Sequence, residues 1–168
     1  NNLMKMIDNN IQKLTEPMTS KDLVIAFSGL KSMRSTQAGV PSLMSSLSSA
    51  LHLRQSACGP NAEKHSHFLP RLMKHVKKMS SDEISVKNFL IIVTDALVAE
   101  EDVTLSVSNY AMCLSGLQSM SSSEASVCRF LSATTKAVMQ NAEKDREFGW
   151  GLICVMLKAM SKMANDSR

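Results

Sequence analysis

Apolar residues recur along this chain at helical spacing, in two alternating kinds of block. The first kind is counted from a small residue at Gly29, Gly116 and Ala159, with His75 in the equivalent place. Apolar side chains stand six, three and two positions earlier: Leu23, Ala26 and Phe27; Leu69, Leu72 and Met73; Tyr110, Cys113 and Leu114; Ile153, Met156 and Leu157. One position later come Leu30, Val76, Leu117 and Met160, and four later Met33, Met79, Met120 and Met163. These offsets gather the apolar residues on one side of an α-helix, here called A. The second kind of block opens seven residues past the methionine, at Val40, Val86 and Val127, with apolar residues at positions 1, 4, 5, mostly 8, then 11 and 12. The same period predicts a second helix, B.

The closing methionines are 46, 41 and 43 residues apart. Self-similarity at that interval predicts an all-α fold: an α-solenoid of antiparallel helix pairs, period about 41–46 residues, incomplete at both ends. A short turn joins A to B. Ser80 with Glu83, and Ser121 with Glu124, fit capping boxes at the start of B. The residues divide as one helical-repeat segment over 1–168: an orphan B helix over 1–16, repeats over 20–54, 64–99 and 104–142, and an orphan A helix over 146–164. In the first of these Leu3, Met4, Ile7 and Ile11 fit the B pattern. Arrays need polar caps, so the segment is expected to be a slice of a longer solenoid or to meet partner surfaces at its ends. Pro70 is tolerated only in a first turn, so helix A of the second repeat is expected to start near Leu69. His75 is expected to widen the packing between its unit and the neighbouring ones.

Composition narrows the function. Hydrophobic residues make up 44% and aromatics only 4%, so the core is aliphatic, with 13 methionines as adaptable fillers. Cys58, Cys113, Cys128 and Cys154 match no metal or redox spacing, and the last three fall among apolar residues, where reduced core thiols are expected. No apolar run approaches a membrane span. His52, Cys58, His65 and His67 straddle one link, but their spacing fits no zinc motif. No Gly-rich phosphate loop, nucleophile elbow or metalloprotease motif is present, so neither catalytic residues, nor a cofactor, nor a small-molecule substrate is expected. An enzyme built on the His52–His67 region is the weakest reading.

The net charge of +4 is compatible with a polyanionic partner. Its distribution says more. One before the small residue stand Ser28, Lys74, Ser115 and Lys158; two after it Lys31, Lys77, Gln118 and Ser161; three after it Ser32, Lys78, Ser119 and Lys162. This outer stripe of helix A holds lysine, serine and glutamine and no acid. In a solenoid it lines up along one surface. The functional reading is a strip that tracks a phosphate backbone, with polar residues available to base edges. The bland reading is a solvated helix face. Tyr110 is expected in the core, while Trp150 suits either core or surface, so stacking on bases is weakly supported.

Gly29-Leu30-Lys31-Ser32-Met33 and Gly116-Leu117-Gln118-Ser119-Met120 resemble the "Gly-Leu-x-x-Met" signature of organellar helical-hairpin repeat proteins. These are the heptatricopeptide and octotricopeptide classes and the repeats that accompany RAP and FAST-kinase-like domains. The resemblance implies a mitochondrial or plastid matrix location. It also implies binding of single-stranded or structured RNA, as a structural component of a mitochondrial ribosome or an RNA-processing complex, with other proteins of that assembly as partners. The alternative is a protein-binding solenoid scaffold of the HEAT or armadillo kind.

Overall fold

Each apolar block closes into a helix. The computed structural model describes residues 2–13, 16–57, 64–100, 102–142 and 150–164. Among them the chain forms eight α-helices and no strand: α1 (Asn2–Gln12), α2 (Ser20–Gly29), α3 (Val40–Ala57), α4 (His65–His75), α5 (Ile84–Ala99), α6 (Val107–Gly116), α7 (Ala125–Ala142) and α8 (Trp150–Ala164). None of them is long and apolar enough to cross a membrane.

The odd helices α1, α3, α5 and α7 pack one on the next, and so do the even helices α2, α4, α6 and α8. Within this pattern α2 also meets α3, α4 meets α5 and α6 meets α7. The main core fills the space between the two rows. It joins Leu23, Phe27, Leu69 and Met73 from the even helices to Met44, Leu47, Phe89 and Leu90 from the odd ones. Phe27 and Phe89 meet across it, ring centroids 5.0 Å apart. Burying one such side chain contributes about 1.5–3 kcal/mol. A smaller cluster joins Leu105, Tyr110 and Leu114 to Ala137 and Val138, with the Tyr110 hydroxyl 2.9 Å from Thr135 Oγ1.

Hydroxyls inside the odd helices fold back on their own backbone. Ser48 donates to Met44 O at 2.7 Å, Thr94 to Leu90 O at 2.6 Å and Thr134 to Phe130 O at 2.9 Å. This local bonding lets polar residues occupy buried positions. Between α1 and α3, the nearly buried Asp8 accepts hydrogen bonds from Ser42 and Ser46. Between α5 and α7, Arg129 Nη2 lies 2.7 Å from Asp95 Oδ1, and Lys87 Nζ lies 2.8 Å from Glu124 Oε2.

Three of the even helices end sooner than the sequence pattern suggests, while α8 continues through Met163 as expected. α2, α4 and α6 stop at Gly29, His75 and Gly116, and the residues through Met33, Met79 and Met120 form tight turns. Leu30 N–H donates to Phe27 O and Met33 N–H to Leu30 O; Val76 and Met79, and Leu117 and Met120, repeat the pattern. Bonds to the third residue back tighten a helix end into a 3₁₀-like turn. These turns also stitch to one another. Ser80 N–H donates to Ser35 Oγ at 3.0 Å, and Ser121 N–H to Ser81 Oγ at 2.9 Å. Both acceptor serines are buried.

The capping boxes expected at Ser80 and Ser121 do not form. Ser80 Oγ instead accepts from Asp82 N–H, and Ser121 Oγ accepts from Ser123 N–H, both inside the turn before the helix. A capping box forms instead between Thr19 and Asp22, at the start of α2.

α4 starts at His65, not near Leu69, so Pro70 sits inside the helix. Proline has no N–H, which leaves the carbonyl four residues earlier without its helical donor. That carbonyl belongs to Ser66, and the Asn109 amide of α6 reaches it at 3.5 Å. Glu100, just past α5, caps the same residue: Ser66 N–H donates to Oε2 at 2.9 Å and Ser66 Oγ to Oε1 at 2.8 Å. A carboxylate there also complements the positive end of the helix. Two neighbouring elements therefore supply the bonds that Pro70 and Lys64, a residue with no side-chain cap, leave open.

Candidate nucleic-acid interface

A row of exposed bases runs from the cap of α4 along the helix to the turn after it. Lys64, His67, Arg71, Lys74 and Lys78 follow each other at alternating steps of three and four residues, and all are exposed. Within α4 that spacing puts His67, Arg71 and Lys74 on one face. From residue 64 to 81 the chain holds five Lys or Arg, three His and no acid. Sequence reasoning found Lys74, Lys77 and Lys78 but missed Lys64, His67 and Arg71. Starting the helix near Leu69 left Lys64 and His67 outside it, while Arg71 stood inside it at an offset where the other A helices carry Ile25, Met112 and Val155, and so was passed over. The three-and-four spacing through Pro70 was the signal available.

The other expected positions divide. Lys31 and Ser32 are exposed in the turn after α2, and Lys158 is exposed on α8. Ser28 is exposed, but its hydroxyl donates to Ile25 O at 2.6 Å. Lys77, Ser115 and Gln118 are half-buried. Ser119 binds its own fold, donating to Lys77 O at 2.8 Å across the stacked turns. The side chains of Lys162 and Trp150 lie outside the described residues, as does Cys58. Ser32, Lys78 and Ser119 were read as continuing helix A. They stand instead on turns, whereas Lys158 and Lys162 fall within α8; Lys74, Lys77 and Lys78 gather at the end of α4 and in the turn after it.

His75 takes the position filled by Gly116 in α6. At Gly116 a Cβ would lie 2.3 Å from Met73 O, so glycine lets α6 close onto α4. The imidazole at the equivalent point of α4 accompanies a less extensive contact with α2 than α4 makes with α6, although the helices are of nearly equal length. His75 Nδ1 is buried without a hydrogen bond. Burial lowers the His75 pKa, and repulsion from Lys31 and then Lys74 lowers it further. Burial also lowers that of His65, with Glu100 opposing and Arg54 assisting. Arg54 stands over the Phe68 ring at 5.2 Å, and His65 meets the same ring at its edge.

Both shifts have the same sign. A histidine with a lowered folded pKa takes its proton more readily unfolded, so the unfolded state gains protons first as pH falls below about 6.5. Thermal melts are expected to show falling stability between about pH 7 and the folded pKa values. His75→Gln should flatten part of that slope, and an unchanged slope would remove His75 as a source.

Cys113 is buried, and burial pushes its thiol pKa far up, so it stays protonated. Cys128 and Cys154 are exposed, contrary to the expected core positions. Cys128 lies in the first turn of α7 on the outer side, with Sγ 2.9 Å from Ser122 O. His52 and His67 are exposed on α3 and α4. Among the described residues no group of three or more His, Cys, Asp or Glu is placed to hold a metal ion. Compared with known protein families, with curated proteins and with solved structures, the chain matches none.

Proposed function

We propose that the chain is a stretch of α-solenoid that binds single-stranded or structured RNA on its even-helix side, without enzymatic activity. The reading rests on one observation: the exposed, acid-free row Lys64, His67, Arg71, Lys74 and Lys78, with Lys31 in the adjoining turn. Such a row favours a phosphate backbone over a neutral surface. The consecutive packing of even on even and odd on odd helices supports the solenoid. The Gly-Leu-x-x-Met resemblance supplies the organellar ribonucleoprotein setting, in a mitochondrial or plastid matrix with other proteins of the assembly as partners.

The test is salt. With about four or five phosphates neutralised on a single strand, log affinity should fall with log salt at a slope of about −3. Fluorescence anisotropy with a labelled single-stranded RNA measures it. A slope near zero, or no binding at low salt, would count against the proposal and leave the scaffold reading in its place.

A further inference from the structure

The odd-helix row faces the other way, and its middle member is unusual. α5 exposes large apolar residues on the side turned to solvent as well as burying others in the core. Ile84, Ile91 and Val98 are 68%, 38% and 64% exposed. They are spaced by seven, with Asn88 and Asp95 between them, so a seam of period 3.5 runs the length of the helix. Scattered exposed apolar residues are ordinary, but three in register on one helix mark a contact face.

The neighbours leave this ridge accessible. At the position of Ile91, α3 carries Ser45 and α7 carries Ser132, both exposed and both small. A groove of about 280 Å³ runs beside the ridge, lined by Ser45, Ser48, Ser49, Asn88, Ile91 and Ile92.

We infer that this face binds a second copy of the chain, α5 against α5, antiparallel about a two-fold axis at Ile91. The seam is nearly palindromic, and that is what favours a second copy over another partner. Turned end for end, Ile91 meets Ile91, Ile84 meets Val98, and Asn88 meets Asp95 of the second copy. Arg129 occupies Asp95 Oδ1, which leaves Oδ2 to accept from the Asn88 amide. The parallel arrangement would set Asp95 against Asp95. A two-fold contact of this kind uses one patch on both copies. It buries the apolar ridge and leaves the basic row of α4 facing outward on each copy.

Sedimentation of the full chain over a concentration series tests this. The expected result is a species of twice the 18.4 kDa mass. Ile91→Glu should abolish it, placing two carboxylates at the axis. Asn88→Asp should weaken it by about tenfold or more and Asn88→Lys should tighten it, since the first opposes Asp95 and the second pairs with it. Both positions are exposed, and circular dichroism should show an unchanged helical signal. A chain that stays at 18.4 kDa throughout overturns the inference, including when α5 captures a helix of another protein instead. So does a dimer that survives Ile91→Glu, and one that ignores both Asn88 changes overturns the antiparallel pairing.

Discussion

Gly116→Ala is expected to destabilise the fold although alanine is the better helix former. The new Cβ would meet Met73 O at 2.3 Å, its carbonyl carbon at 2.8 Å and Met73 Cβ at 3.1 Å. The oxygen cannot swing aside cheaply, because it accepts the Val76 N–H that closes the end of α4. The other escape is to move α6 away from α4, which loosens Leu72, Met73, Cys113 and Leu117 in the core. Overpacking of this kind costs about 1–3 kcal/mol, sometimes more. The helix-propensity gain returns at most about 1 kcal/mol. Gly29→Ala is the matched control, since a Cβ there meets nothing within 4 Å. It should leave stability unchanged or raise it by up to about 1 kcal/mol. Thermal or urea unfolding of the two variants distinguishes them by sign. Equal shifts would mean that the close approach at Met73 does not govern the spacing of the even helices.

The combined change Arg71→Glu, Lys74→Glu and Lys78→Glu is expected to abolish measurable RNA binding while leaving the fold intact. The three residues are exposed, and none makes a salt bridge among the described residues. A hydrogen bond to a charged group is worth about 1.5 kcal/mol at the low end of its range. Losing three weakens binding by about 1000-fold, before the repulsion of three new carboxylates is counted. Lys158→Glu on α8 should cost much less, because it lies two helices away from the centre of the row. Gln118→Ala should alter sequence preference more than affinity. Undiminished affinity in the triple variant would place the RNA elsewhere.

Helix placement was legible because burial follows the apolar period. Leu23, Phe27, Leu69, Met73 and Leu114, all read as inward-facing, are buried. The ends of α2, α4 and α6 were not legible, although that of α8 was. Over a single turn, a bond to the third residue back and one to the fourth leave the same apolar residues facing inward, so Met33, Met79 and Met120 read as helix but close a turn. The capping pattern misled at Ser80 and Ser121 because those hydroxyls have a closer donor within the turn. At Thr19 the box uses aspartate in place of glutamate. Cys128 and Cys154 fell among apolar neighbours in the sequence but lie on outward sides. The proline rule left Lys64 and His67 out of the basic row. Nothing local to residues 65–75 reveals that Asn109 and Glu100, from other elements, would make a proline inside that helix tolerable.

That arrangement has a consequence for how the molecule comes apart. Ser66 takes its amide partner from beyond α5 and its carbonyl partner from α6, so the hairpin of α4 and α5 could not keep its own backbone satisfied if α6 peeled off. Loss of one segment would strip bonds from the next. The chain should therefore melt in one concerted step across its centre, not shed helices singly from its edges.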